Sequence, residues 1–558
     1  MKKRKKMKFI SIVSAFLSLV LCLSACGSGG DAQTDSEGAK ADSVASVNEG
    51  WHVEENTLPI ADGDIELSIY CGMPNSMRQE YTSMAETDVV KQIMEETGIK
   101  LTFVHPPEND DGTFFTTMIA SGDYPDIIYD GFGAYPGGPT AAMDDGIIMD
   151  ITDLVQSKAY YFYHIMDNMD PEVREKRIWS DDGRILYFGT TFSSDYLDGR
   201  VHGGFLVRKD ILDKAGITEL PKTIDEYEVM FEAFKEEGLV PWAVSLKEWQ
   251  FTSYNPVASA FGLTAKGTNL DENGKVEYSR VNPEYKNFLE VMHRWYEKGY
   301  ITSDALTQST SDAQKQFQSG EAGAILCGSY EISTLKTVGQ ANDPELEVVA
   351  LPFPRVNEDD KITTMATVIQ NPDSRKAFIS AQCEHPEEAV RLIDYLYKPE
   401  TIMLTAWGVN TDEHTLWTED ADGNRSWTDF MTNNPDFDFE TARQRYTASS
   451  LQGQWETTME KMQYDTPEVQ QAWEVWADNT SNEDLMSNYV TQTTEESREL
   501  SQLLTQIETY GDEMVFKFIT GERSVDEFDA FVEELKAMGT DRLCELYQAA
   551  QDRYMERD

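Results

Sequence analysis

Metal binding, proton transfer and nucleophilic attack each need particular side chains at particular spacings. This chain offers seven histidines and 99 carboxylates. The histidines are scattered, and no His-Glu-x-x-His pair, Gly-x-Ser-x-Gly turn or phosphate-cradling glycine loop occurs. Two carboxylates could in principle run a glycosidase, but in so acidic a chain any spacing arises by chance. Asn269, Asp271, Asn273 and Gly274 match the early positions of an EF-hand loop, yet Arg280 stands where the final bidentate carboxylate belongs. That mismatch favours a plain Asn-Gly hairpin turn. Thr418, Asp420, Asp422 and Gly423 place Asp429 at the final position, but the first lacks a carboxylate. Calcium stays an alternative; no metal ligand and no catalytic residue is assigned.

Cys26 carries a different chemistry. Lys2, Lys3, Arg4, Lys5, Lys6 and Lys8 precede an apolar run from Phe9 to Leu23, and the run closes on Leu23-Ser24-Ala25-Cys26. A cationic start, a short apolar core and small residues before the cut describe a secretory signal peptide over residues 1–25. The pattern resembles the bacterial lipoprotein box, which implies cleavage after Ala25 and diacylglycerol on the Cys26 thiol. A third acyl chain or a free amine at the new N-terminus usually follows. Two or more acyl chains anchor stably at about 0.8 kcal/mol per buried CH₂. The apolar run is short for a bilayer span of about 20 residues.

Loss of the leader moves the net charge from −52 to −58. So acidic a chain is unsuited to nucleic acid, and acyl chains rather than charge must hold it at an anionic membrane. Aromatic residues make up 11% of the chain, too many for a disordered acidic tail. Cys71, Cys327, Cys383 and Cys544 lie far apart without Cys-x-x-Cys spacing and read as buried free thiols, with a disulfide permitted by the compartment.

The elements that must position any site follow from periodicity. Residues 26–60 read as the lipidated cysteine and a flexible tether rich in Gly, Ser, Ala, Asp and Glu. Structure begins near Ile65, where IELSIY alternates as a strand. Glu86 to Thr97 reads as a helix stopped by Gly98, and PDIIYD as a strand. Thr223 and Glu226 form a capping box, Asn282-Pro283 opens a helix stopped by Gly299, and Ser524 with Glu527 opens another. Glu387 to Tyr397 and the segment from Gly539 to Tyr554 also read as helices. Strand–helix alternation over about 490 residues implies α/β layers in more than one domain.

Several segments together carry a family resemblance. IASGDYPDIIYD (119–130), GIIMDITDL (146–154), FLVRKDILDKAGI (205–217), PKTIDEY (221–227) and PEYKNFLEVMHRWYEKGYI (283–301) come first. FQSGEAGAILCGSY (317–330), EEAVRLIDYLY (387–397), AWGVN (406–410) and FKFITGERSVDEFDAFVEEL (516–535) complete the order. From about Ile65 to Arg557 the chain resembles the extracellular solute-binding proteins of ABC importers, family 1, in the large LipO-like branch.

The resemblance implies an α/β, two-lobed periplasmic-binding-protein-like fold with a hinge and an interlobe ligand cleft. It places residues 61–188 with 356–410 in lobe 1 and residues 189–355 with 411–558 in lobe 2, with crossings near Gly189 and Pro352-Phe353-Pro354. It implies a lipid-anchored, monomeric receptor on the extracytoplasmic face that captures a carbohydrate, an oligosaccharide given the chain length, for the membrane permease subunits of an ABC importer. Peptide, aminosugar and uronate cargoes stay open, and a surface glycosidase or an adhesin is the alternative. A sugar needs aromatic plates for its C–H faces and polar groups for its hydroxyls. By position in the family pattern the contacts are Asp130, Trp249, Tyr254, Asn255 and Tyr330, with Trp407 and Trp455 as further plates.

Overall fold

The computed structural model describes residues 53–107, 112–167, 180, 183–191, 201, 203–248, 251–252, 255–363, 374–421, 423–437, 439–455, 466–481, 483–487 and 489–557. Cys26, Trp249, Tyr254 and Asp422 lie outside this set, as does the tether up to residue 52.

Strands β1 (Ile65–Tyr70), β2 (Ile99–Val104), β3 (Ile127–Tyr129) and β4 (Phe188–Thr190) come first. Then follow β5 (Gly203–Arg208), β6 (Val240–Ala243), a hairpin of β7 (Thr268–Leu270) and β8 (Val276–Tyr278), β9 (Ala322–Gly328) and β10 (Val348–Ala350). The last are β11 (Ile362–Thr363), β12 (Ser374–Ile379), a hairpin of β13 (Trp417–Glu419) and β14 (Arg425–Trp427), and β15 (Thr480–Ser481). Two sheets dominate: a five-stranded sheet in the order β2-β1-β3-β12-β4 and a four-stranded sheet in the order β10-β5-β9-β6. In the first, β1, β2 and β3 run parallel, while β12 is antiparallel to both of its neighbours, β3 and β4.

Each sheet is covered on both faces, which is why central strands such as β3 and β9 read as apolar runs. Leu67, Ile69, Ile127, Tyr129, Ala377 and Ile379 enter one core of the first sheet. Their sequence neighbours Tyr70, Ile128 and Phe378 enter the other. In the second sheet Phe205 and Val207 face a large aromatic core with Trp242, Phe231 and Trp295, and Leu206 faces the opposite one. Phe205 and Trp242 have ring centroids 5.0 Å apart, and Phe231 meets Trp295 edge-on at 5.1 Å. Such pairs add about 0.5–1.5 kcal/mol beyond area burial.

The local signals hold with small shifts. Thr223 and Glu226 form the reciprocal capping box of helix Ile224–Glu236. The helix read from Glu86 begins instead at Asp88, because Thr87 is extended and its hydroxyl accepts from Val90 N–H. Gly98 ends it in the left-handed region at φ 67°. Ser524 caps a single 3₁₀ turn, and the α-helix proper runs Phe528–Ala537.

The chain leaves the first sheet after Thr190, returns to it at Ser374, and leaves again after residues 452–455. Residues 411–451, expected beside the second sheet, pack against the first. Arg445 bonds Ser76 O and Glu80, Ala448 N–H donates to Thr405 O, and Ala448 and Leu451 enter the first sheet's core. The third crossing therefore lies some forty residues later than expected, because an AWGVN segment gives no sign of which body the following hairpin will cover.

Candidate functional site at the carboxyl edges of the two sheets

In open α/β sheets ligands bind beyond the carboxyl ends of strands. On the first sheet that edge is built by β3, β4 and the start of β12. Asp130 follows β3 with φ at 61°, and Arg375 on β12 has φ at 58°. Non-glycine residues pay for this conformation, and here two such residues sit side by side. Asp130 is held to β12: its N–H donates to Lys376 O at 2.8 Å, and Lys376 N–H donates back to Asp130 Oδ1 at 2.9 Å. Desolvation raises the Asp130 pKa above the carboxylate norm against the pull of that N–H and of the Arg375 and Lys376 charges.

The third crossing closes this edge. Thr191 N–H donates to Gly453 O at 2.9 Å, Trp455 N–H to Thr191 O at 2.8 Å, and the Thr190 hydroxyl to Gln452 O at 2.8 Å. Trp455 is thereby fixed where the Arg375 guanidinium lies 4.7 Å from its ring. Arg375 Nη1 also donates to Ser449 O. Burial, reinforced by the Arg443 charge, lowers the Arg375 pKa to about 10. Lys376 Nζ sits 4.4 Å over the Tyr187 ring. Gln452 is buried with neither end of its carboxamide paired, and the Thr191 hydroxyl is buried and unpaired as well.

On the second sheet, β9 ends at Gly328, opposite Gly203 of β5. Tyr330 is 39% exposed and its ring lies against Gly328, where a Cβ would come within 2.3 Å of the ring. Glu331 steadies this turn by accepting from Gly328 N–H at 2.7 Å and Gln314 Nε2 at 2.6 Å, and burial holds its pKa above normal. Asn255 caps the short helix Pro256–Ser259, its Oδ1 accepting from Ala258 N–H at 3.0 Å; its Nδ2 is buried without a partner.

Of the sequence candidates, the fold brings Asp130 and Trp455 together around Arg375 on one edge and leaves Tyr330 and Asn255 on the other sheet. Trp407 is corrected: its ring is 0% exposed and stacks on Trp427 at 4.4 Å, so it is core and offers no face to a ligand. The helix Pro399–Trp407 turns it inward. Sequence reading missed Tyr187, Arg375 and Lys376. Their signal was faint, two adjacent cations opening an apolar strand, and only the pairing of β12 with β3 moves them beside Asp130.

Nor do the calcium positions of the β7–β8 turn assemble; the other set includes Asp422, outside the described residues. Asp271 Oδ1 accepts from Asn273 and Lys275 N–H at 2.8 and 2.9 Å, closing the β7–β8 turn. Asn269 Oδ1 is occupied by Thr264 and Ser279. Arg280 is buried and paired with Glu508 and Asp512 of the long helix Thr494–Thr520. A fixed guanidinium at the twelfth position repels a divalent ion. Among the described residues no cluster of three His, Cys, Asp or Glu side chains could hold a metal. Cys71, Cys327, Cys383 and Cys544 are free thiols, the first three buried.

The family model for the bacterial extracellular solute-binding protein matches residues 81–403. The chain belongs to that family. Among curated relatives, the fructooligosaccharide ABC transporter substrate-binding protein FusA of Streptococcus pneumoniae serotype 4 is 25% identical over 233 residues, 39% of this chain and 42% of its own. The polygalacturonan/rhamnogalacturonan-binding protein YtcQ of Bacillus subtilis is 22% identical over 174 residues, 27% of this chain and 34% of its own. The chain thus spans less than half the length of these relatives. Among solved structures, the alginate-binding protein AlgQ2 without calcium ion superposes with a TM-score of 0.69 at 19% identity, covering 88% of this chain and 99% of that one. The fold is the two-lobed solute-binding-protein fold. The family is extracellular, and no described helix is long and apolar enough to cross a membrane.

Proposed function

We propose that this protein is a lipid-anchored receptor that captures an oligosaccharide between its lobes by hinge closure and delivers it unaltered to an ABC importer. Family membership is the observation that carries the reading. The two strand edges support it by offering what a sugar needs: Tyr330 and Trp455 as rings, and Asp130, Asn255 Nδ2 and the Gln452 carboxamide for hydroxyls. Trp249 and Tyr254 belong to the same proposal on sequence grounds. Closure is a population shift, and the permease subunits would recognise the closed state. Cys26 would carry the acyl anchor, and the acidic segment after it would let the body stand off the membrane.

A thermal-shift screen of oligosaccharides tests the reading. A ligand at about a hundred times its dissociation constant adds about 2.7 kcal/mol of stability. At least one should raise the melting point, contract the molecule in small-angle scattering and be recovered uncut. A cleaved product would favour the glycosidase, and unchanged scattering with every bound sugar would remove the hinge. Mass spectrometry of the N-terminal peptide should show acylated Cys26; an unmodified leader would remove the anchor.

A further inference from the structure

The relatives named above carry different cargoes, so the class of sugar is read here from the side chains. We propose that the first sheet's edge binds an acidic group of the saccharide, a carboxylate or sulfate, through Lys376 and Arg375. This rests on the receptor reading and narrows its cargo to acidic glycans.

In a chain with 47 basic and 99 acidic residues, most cations of the described surface meet a carboxylate, as Lys100 does Glu66 and Arg498 does Asp145. Arg375 and Lys376 meet none among the described residues. Arg375 has one hydrogen bond, to the neutral Ser449 carbonyl, and one stacking partner, Trp455. Lys376 lies over the neutral Tyr187 ring. The Arg443 guanidinium adds a like charge close enough to perturb Arg375, and is itself held by Glu440. Asp130 is the carboxylate among the described residues of this edge whose charge acts on Arg375, and it takes the backbone N–H of Lys376 rather than either charged head group.

Among the described residues the edge therefore keeps two cations facing one carboxylate, a local excess of positive charge in a strongly negative molecule. The conformation works to maintain it. Left-handed backbone at both Asp130 and Arg375, with a register shift between Ser374 and Ala377, displaces the Arg375 side chain toward the crossing segment and away from a direct ion pair. Arg375, half-buried and without a charged partner among the described residues, costs stability unless an anion arrives. The rings beside each cation fit the rest of such a ligand, since Tyr187 and Trp455 offer apolar faces next to the charge.

The test uses full-length protein in detergent and calorimetric titration with short oligogalacturonides, the same oligomers reduced at their carboxyl groups, sulfated oligosaccharides and neutral ones. The expected result is preference for an acidic oligosaccharide over its neutral counterpart by roughly tenfold or more. That preference should shrink with added salt and be lost in Lys376→Gln and Arg375→Gln. Should Arg375→Gln fail to fold, Lys376→Gln at the accessible edge still decides. Binding confined to neutral sugars, or an acidic preference that survives Lys376→Gln, overturns this inference while the receptor reading stands. Binding of none overturns both.

Discussion

Gly511 lies in the interior of a 27-residue helix, where Ala is the better helix former by about 1 kcal/mol. Helix propensity alone therefore expects Gly511→Ala to stabilise. The structure expects the reverse. A Cβ there would stand 2.3 Å from Arg280 Nη1 and 3.2 Å from its Cζ, so the guanidinium must move. Its side chain is 4% exposed and pairs with Glu508 at 3.0 Å and with Asp512, while Lys266 supports Asp512 at 2.9 Å. Burial opposes the Arg280 charge, but Tyr285, Tyr278, Glu508 and Asp512 outweigh it and hold its pKa above the ordinary arginine value. Breaking a buried pair by displacing one partner costs about 3–5 kcal/mol. Set against the gain in propensity, Gly511→Ala should lose about 2–4 kcal/mol. Urea unfolding followed by tryptophan fluorescence measures this as a lowered midpoint with an unchanged slope. In an Arg280→Met background the clash is gone, and the same Gly→Ala change should become stabilising by up to about 1 kcal/mol. A stabilising Gly511→Ala in the wild-type background would refute the reasoning, because it would mean the guanidinium has another low-energy place.

The same cluster predicts that calcium binds no site in the β7–β8 turn; a calcium-induced rise in the melting point that is lost in Asp271→Ala would return a metal to that turn. Trp407→Ala should cost about 3–5 kcal/mol as a large-to-small core change, whereas Tyr330→Ala should leave stability nearly intact and weaken oligosaccharide binding by about tenfold. Titrations and melts of the two variants separate these outcomes, and an unfolded Tyr330→Ala would move that ring into the core. Asp394 is buried and accepts from Phe162 N–H and Asn56 Nδ2, and burial raises its pKa to about 7. Its folded pKa exceeds its unfolded one, so its contribution is full below about pH 4 and lost as pH rises through about 7. Melting curves at pH 5 and pH 8 should differ less in Asp394→Asn than in wild type; an equal difference would assign the dependence elsewhere. Burial pushes the Cys71 and Cys383 thiols up to about 12 and Cys544 to about 11. Cys71, Cys327 and Cys383 should therefore react with a thiol reagent only on unfolding, and rapid reaction of more than one thiol in the native protein would contradict this burial.

What could be read from the chain directly was what neighbours within a few residues decide. Thr223 and Glu226 meet across one helical turn, Gly98 alone tolerates its left-handed stop, and the alternation in IELSIY needs no distant partner to become β1. Asp130 was found because it ends such a strand, and the family order supplied the fold. What the chain concealed depends on contacts distant in sequence. Trp407 and Trp455 are the same residue type, yet a helix turns the first onto Trp427 and a crossing segment pins the second against Arg375. Arg375 and Lys376 reach Asp130 only because β12, late in the chain, inserts between β3 and β4. Gly511 reads as a flaw in a helix until Arg280 arrives from a hairpin far upstream. Local torsional preference and capping act within a turn and are written in order along the chain. Burial and charge pairing act through space, and only the assembled molecule states which side chains share it.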